Sequence, residues 1–240
     1  GTNMQGAVES LQAEIARRVD GPTGLRAQCR NALELMQLGA VQGKVVNRDS
    51  RVIWNFYNEF DIAPPPEIVL GLSSIDKGAY RQKIESTVTR PLRRRASGLN
   101  VASPIALCGE SFWDKKMANA EFRKTFETQQ ESAELRGATL GNEVKFAGVV
   151  WKEYFGSDAP SAIRVHAEKA ILVPGGQTGM FEHVLSPAEG FDDLGTEGQD
   201  WYMYMDRDPS TRNAYIDVFL MTYPGMFNNR PDLISILKAD

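Results

Sequence analysis

At 240 residues, 42% hydrophobic and 24% charged, the chain has the length and balance of a globular protein that can bury a sizeable core as one or two domains, not the composition of a disordered one. A formal net charge of −4 argues against a dedicated nucleic-acid binder, which carries a basic excess. Two cysteines, Cys29 and Cys108, are too few for a disulfide framework and point to a reducing compartment.

The chain opens on Gly1-Thr2-Asn3-Met4, which lacks the charged n-region of a signal peptide and reads as an internal cut or an added remnant. No apolar run reaches the roughly 18–20 residues of a membrane helix. Val8–Leu38 reads as helix, because Leu11, Ile15 and Val19 share one stripe and Leu25, Cys29 and Leu33 another. Asp20-Gly21-Pro22-Thr23-Gly24 interrupts them, with Pro22 expected in the first turn of the second helix, which ends near Gly39. Two helices or one kinked helix are expected.

Lys44–Tyr57 has two β-rich arms about a polar turn, with Val52, Trp54 and Phe56 alternating as in a half-buried strand. Ala63-Pro64-Pro65-Pro66 makes a stiff, extended connector. Asp76 is the expected N-cap of a helix through about Thr89, striped by Tyr80, Ile84 and Val88 and ended or bent at Arg90-Pro91. Ile105–Cys108 reads as a short strand. Ser111 is expected to cap a helix bearing Phe112, Trp113 and Met117, and Asn119 another bearing Phe122 and Phe126.

From Glu143 the chain turns to β, with strands expected over Glu143–Ala147, Val149–Tyr154, Ala170–Val173 and Met180–Leu185. Two further β-rich runs, Trp201–Met205 and Ala214–Tyr223, flank the charged turn Asp206-Arg207-Asp208-Pro209-Ser210. The second run is apolar on both faces, which predicts a strand buried inside a sheet. Pro224 closes it, Arg230-Pro231 is a second stop, and Leu233–Leu237 is a last short strand. The class is α+β.

Residues that carry chemistry are scarce and scattered. His166 and His183 with Cys29 or Cys108 have the residue types of a base–nucleophile pair but no flanking pattern, and Cys29 on an apolar stripe reads as a buried packing thiol. The same four residues lack the close spacings of a zinc site. Gly175-Gly176-Gln177-Thr178-Gly179 is rich in glycine but has no following Lys-Ser/Thr, so its glycines read as turn formers rather than a phosphate loop. Glu189, Asp192, Asp193, Glu197, Asp200, Asp206 and Asp208 make an acidic region without the ligand pattern of a calcium loop. Arg90 and Arg93–Arg95 are the best nucleic-acid candidate, yet offset few phosphates and carry no interleaved aromatics. Acidic and basic surfaces on one chain also suit register-setting contacts between its copies. No catalytic, cofactor or metal residue is assigned.

Several of these features, in this order, resemble the lambda-type major capsid proteins of tailed phages, the major capsid protein E family. They are the helix running into Gly43-Lys44 and a hairpin, the strand and aromatic helix pair about Phe112-Trp113-Asp114, the Trp201 strand, the apolar strand closed by Pro224, and Pro231-Asp232-Leu233 before an apolar tail. The resemblance implies a Hong Kong 97-like fold with a long spine helix, a β-hairpin, and axial and peripheral domains. Residues 1–60 would give the spine helix and hairpin of the peripheral domain, 61–200 the axial domain, and 201–240 strands returning to the sheet core. It also implies pentamers and hexamers in an icosahedral shell around double-stranded DNA held without sequence-specific contacts, with scaffolding and decoration proteins as partners. Such a protein belongs to the virion, is assembled in the bacterial host cytoplasm, and needs no membrane, cofactor or catalytic site. Family members carry an N-terminal arm and extended loop before the spine helix; here the helix begins almost at once, as in a fragment or trimmed core. The residues alone also admit a small hydrolase-like α+β enzyme, which a convergent polar cluster in a deep pocket would mark, and a DNA-binding module, which steep salt dependence would mark.

Overall fold

The computed structural model describes residues 2–47, 49, 51–72, 79–96, 102–137, 141–154, 165–176, 179–207 and 216–240, without the side chains of 2–8 and 207. Helices α1 (Thr2–Asp20) and α2 (Leu25–Val41) are separated by a turn in which the Gly24 N–H donates to Gly21 O. Pro22 lies in that turn, outside the first turn of α2 where it was expected. Glu14 binds both Arg17 and Arg18 near the C-terminal end of α1, where cations also offset the helix dipole. Those two guanidiniums, Arg17 first, hold the Glu14 carboxyl down to about 2.

Strands β1 (Lys44–Val46) and β2 (Val52–Asn55) pair antiparallel as the expected hairpin. The alternation Val52, Trp54, Phe56 is corrected, however: Val52 and Trp54 are exposed, and Phe56 opens the helical turn α3 (Phe56–Glu59) and is buried. The proline connector leads to β3 (Ile68–Val69). Asp76 lies outside the described residues. Helix α4 (Tyr80–Ile84) passes into a π-helical turn, Glu85–Thr89, and then α5 (Arg90–Arg95). Arg90-Pro91 therefore does not end the helix. The missing N–H and ring of Pro91 disturb the bonding of the preceding turn, and the wider π turn occupies that stretch.

Strand β4 (Ile105–Cys108) is followed by α6 (Glu110–Ala118) and α7 (Ala120–Glu134). Gly109, not Ser111, occupies the N-cap of α6. Asn119 caps α7 as expected, its Oδ1 accepting from the Glu121 and Phe122 N–H groups. Next come β5 (Glu143–Phe146), β6 (Val149–Glu153), β7 (Lys169–Val173) and β8 (Phe181–Leu185). A 3₁₀ turn, Phe191–Asp193, precedes β9 (Tyr202–Arg207), β10 (Ile216–Met221) and β11 (Pro224–Asn228). A second 3₁₀ turn, Pro231–Leu233, leads to β12 (Ser235–Lys238), so the last strand is shorter than expected and starts later.

By contacts the chain divides into two compact units. The larger, Leu38–Phe181 with Asn228–Asp240, is built on a six-stranded sheet of order β3-β12-β7-β4-β6-β5. The β3–β12 and β4–β6 pairs are parallel and the other three antiparallel. Strands β5 and β6 are joined through Ala147 and Gly148 at φ +53° and +78°, a two-residue turn whose positive φ angles match the twist of the hairpin. One face of the sheet packs Ala106, Cys108, Trp151 and Leu172 against Tyr80, Ile84, Val88 and Leu92 and against Phe112, Trp113 and Phe122. Ile171 belongs to a second buried cluster with Leu38, Ala96, Leu233 and Ile234. Central β7 is thus apolar on both faces because both are covered.

The smaller unit, Gly1–Gln37 with Glu182–Phe227, contains two two-stranded ribbons, β9–β10 and β8–β11. Strand β11 was not foreseen, because Pro224 reads as a stop; proline is tolerated as the first residue of a strand. Strand β10 is corrected too. Among the described residues it is not buried inside a sheet but pairs only with β9, Val218 opposite Met205 and Phe219 opposite Tyr204, and Ile216, Phe219 and Met221 are exposed.

Candidate functional site

The structure does not assemble the histidines and cysteines. Cys108 is fully buried in β4, and burial pushes its thiol up to about 12. Cys29 is half-buried rather than buried on α2, and burial raises its thiol as well. Both thiols are thereby held in the unreactive protonated form. No hydrogen bond or ion pair among the described residues joins either cysteine to His166 or His183. The His166 Nδ1 accepts from the Glu168 N–H at 3.2 Å, and His183 lies exposed on β8. Among the described residues no group of three His, Cys, Asp or Glu is placed to hold a metal ion. Asp206 lies in β9, and Asp208 lies outside the described residues, as do Gln177 and Thr178 of the glycine loop. Gly176 and Gly179 take φ +70° and +86°, the turn conformations for which glycine was expected there.

One charged group was overlooked in the sequence. Lys116 follows Phe112 and Trp113 by four and three residues, so it falls on the buried stripe of α6, and it is completely inaccessible. Its Nζ lies over the Trp151 ring and 4.6 Å, 5.5 Å and 5.9 Å from the centroids of Phe122, Tyr80 and Phe112. Four ring faces can stabilise an ammonium. Yet Nζ has no hydrogen-bond partner among the described residues, and neither do Tyr80 Oη and Glu121 Oε2. Burial holds the Lys116 ammonium well below the usual lysine range, against a smaller opposing pull from Cys108. A side chain closed off from solvent among four aromatic rings has no reach to a substrate. Its role is in the core.

What lies open is surface. Arg90, Arg93 and Arg94 of α5 are exposed, whereas Arg95 is tied inward, donating to Asp232 O and Ser235 Oγ. In the smaller unit β9 and β10 leave Met203, Met205, Ile216 and Phe219 open to water. Asp206 stands directly opposite Asp217 toward the end of that ribbon, a like-charge pair that opposes the pairing. Before it, the 3₁₀ turn holds Phe191 92% exposed, with Leu194 62% exposed just beyond. The turn is fixed: Tyr204 donates its phenol proton to Asp193 Oδ2, Thr196 Oγ1 donates to Asp193 O at 2.8 Å, and Asp193 N–H donates to Gly190 O. The Asp193 carboxylate, through that hydrogen bond, pushes the Tyr204 phenol up to about 12, so the phenol remains a donor.

The larger unit has an open depression of about 270 Å³, lined by Ile171, Ile234, Ile236, Tyr57 and Pro65 together with Lys44, Lys169 and His166. Among the described residues no carboxylate lines it. Lys169 forms an ion pair with Glu67, while Lys44 is exposed. Burial, reinforced by the Asp232 carboxylate, raises the Tyr57 phenol, so that it too stays protonated. The lining lacks the converging acid, base and nucleophile of a hydrolytic site.

No curated protein matches the chain in sequence. In fold it is similar to a crystal structure assigned to a prophage capsid protein of E. coli CFT073, at TM-score 0.56 and 12% identity over 95% of this chain and 66% of that one. The mature capsid of bacteriophage PhiM1 is matched at TM-score 0.42 and 12% identity, over 88% of this chain and 60% of that one. The chain thus spans less than two thirds of the length of either. Its mixed helices and sheets have the fold of the prophage capsid structure, and the family model described as phage major capsid protein E matches residues 2–239. The chain belongs to the phage major capsid protein E family.

Proposed function

We propose that this chain is the major capsid subunit of a tailed phage or prophage, a structural protein that assembles with its own copies into the head shell. The observation that carries the reading is the match of the capsid family model over residues 2–239. The surfaces agree with it in kind. A ribbon apolar on both faces, an exposed phenylalanine on a fixed turn and separate acidic and basic surfaces serve contacts repeated between identical copies, each weak and summed by symmetry and multivalency. The finer features belong to the same proposal: the Hong Kong 97-like arrangement with its spine helix, axial and peripheral domains and boundaries near residues 60 and 200, pentamers and hexamers, scaffolding and decoration partners, packaged double-stranded DNA without sequence-specific contacts, and assembly in the host cytoplasm before residence in the virion.

The test is electron microscopy of the protein expressed alone and with the proteins encoded beside it. Closed shells of uniform size are expected. A monodisperse monomer under every condition, with turnover of a small substrate, would sink the reading.

A further inference from the structure

Two features on different units of the chain complement each other, and neither has a use within the subunit's own chemistry. The first is the turn at Phe191. A phenyl ring 92% exposed is flanked by Glu189, Asp192 and Glu197, all exposed and without an ion pair among the described residues. The turn that carries it is locked by Asp193, whose own carboxylate is taken by Tyr204. A side chain presented rigidly loses little freedom on docking, as an interface anchor requires. The second feature is the depression over Ile171, Ile234 and Ile236. At about 270 Å³ it falls below the roughly 300–1,000 Å³ of small-molecule sites. It is ample for one aromatic ring, since a cavity of about 150 Å³ accommodates benzene. Around it stand exposed Lys44, without an ion pair among the described residues, half-buried Lys169, which is ion-paired with Glu67, and His166, whose Nδ1 accepts from the Glu168 N–H.

We infer that the acidic Phe191 turn of one copy seats in the apolar, lysine-edged depression of a neighbouring copy, Phe191 over the isoleucine floor and Asp192 or Glu189 against Lys44. The inference rests on the reading of the chain as a shell subunit, which supplies the second copy. Charge chooses the occupant: the lining is largely apolar, the Lys44 cation beside it has no ion pair among the described residues, and the exposed ring is bordered by carboxylates. The contact is heterologous, two different surfaces meeting across it, and such contacts generate rings where the rotation closes.

The experiment has two arms. In the first, the full chain carrying Lys44→Glu, labelled with fluorescein and keeping the native turn, is titrated by anisotropy with the full chain carrying Phe191→Asp, which keeps the native depression. Phe191 is nearly all in water and Lys44 is exposed, so both substitutions leave folding intact. Saturable binding tighter than about 1 mM is expected, weakened about tenfold or more when the labelled chain also carries Phe191→Ala or the titrant also carries Lys44→Glu, and weakened by added salt. No saturable binding, or equal binding of the labelled chain that also carries Phe191→Ala, overturns the inference and leaves the depression to another occupant. In the second arm, Phe191→Asp copies are expected to lose shell yield about tenfold; shells at native yield overturn the inference equally. Native copies that never form shells refute the capsid reading instead, and the titration arm still decides the docking.

Discussion

Strands β7 and β10 have nearly the same sequence character, apolar on both faces, and opposite surroundings. In β7 Ala170 and Leu172 face one buried cluster and Ile171 another, and three residues in a row are out of water. In β10 the same alternation leaves Ile216, Phe219 and Met221 exposed, with β9 as the only partner strand among the described residues. A strand apolar on both sides announces that both sides are covered in the working state. It does not say whether the cover comes from the same chain. In the larger unit it does; in the smaller unit the proposed function assigns it to other copies.

The contrast predicts where substitutions will hurt folding. Trp151 is completely buried, stacked on Phe112 at 6.3 Å, and its Nε1 donates to Phe146 O at 3.1 Å. Trp151→Ala should cost about 3–5 kcal/mol, a loss measured by urea unfolding at an unchanged slope. A loss below about 1 kcal/mol would mean that the larger unit is not the stable body described here.

Next in size, and opposite in sign, is Lys116→Met. The methionine fills similar space without an unpartnered polar atom, and a stabilisation of about 1–3 kcal/mol is expected. The pH dependence follows from the depressed folded-state pKa. Between that value and the ordinary lysine value of 10.5, the unfolded chain carries a proton that the folded chain lacks, so stability rises with pH through the window. Lys116→Met should remove that rise, read as a flattened plot of midpoint against pH. Smaller again is Gly148→Ala. An added Cβ would find room, its nearest neighbour being Thr89 Cγ2 at 3.8 Å, so the cost is the backbone's own, about 1–2 kcal/mol for an alanine at φ +78°.

Local signals made much of the larger unit legible. The stripe Tyr80, Ile84, Val88 predicted three residues that are all buried, Asn119 predicted its cap, and the runs Glu143–Ala147 and Val149–Tyr154 predicted the strands β5 and β6. The misreadings have physical causes as well. Pro224 looked like a terminator because a proline cannot donate within a ladder, yet at a strand's first position no such donor is needed. Lys116 drew no reading at all, although its helical phase sets it on the stripe of Phe112 and Trp113. The depression was out of reach altogether, since Tyr57, Ile171 and Ile234 come from three distant stretches and only the folded sheet brings them to one place. The partners of β10 were equally invisible, because nothing in a strand's own composition distinguishes cover by its chain from cover by a copy.

The smallest expected effect is therefore the most informative. Phe219→Thr and Met205→Thr replace exposed apolar side chains on opposite faces of the β9–β10 ribbon, at positions where threonine keeps the strand preference. Substitutions at exposed sites away from caps and buried networks fall within about ±0.5 kcal/mol, so the unfolding midpoint should hardly move. If these faces are covered by neighbouring copies, the same two substitutions should lower the yield of sedimenting particles even though the isolated subunit is untouched, because every copy in a closed shell repeats the lost contact. Should either substitution unfold the subunit as Trp151→Ala does, the ribbon is part of its own chain's core, and the distinction between β7 and β10 fails. A shifted assembly yield at constant stability can come only from a surface that the monomer does not use.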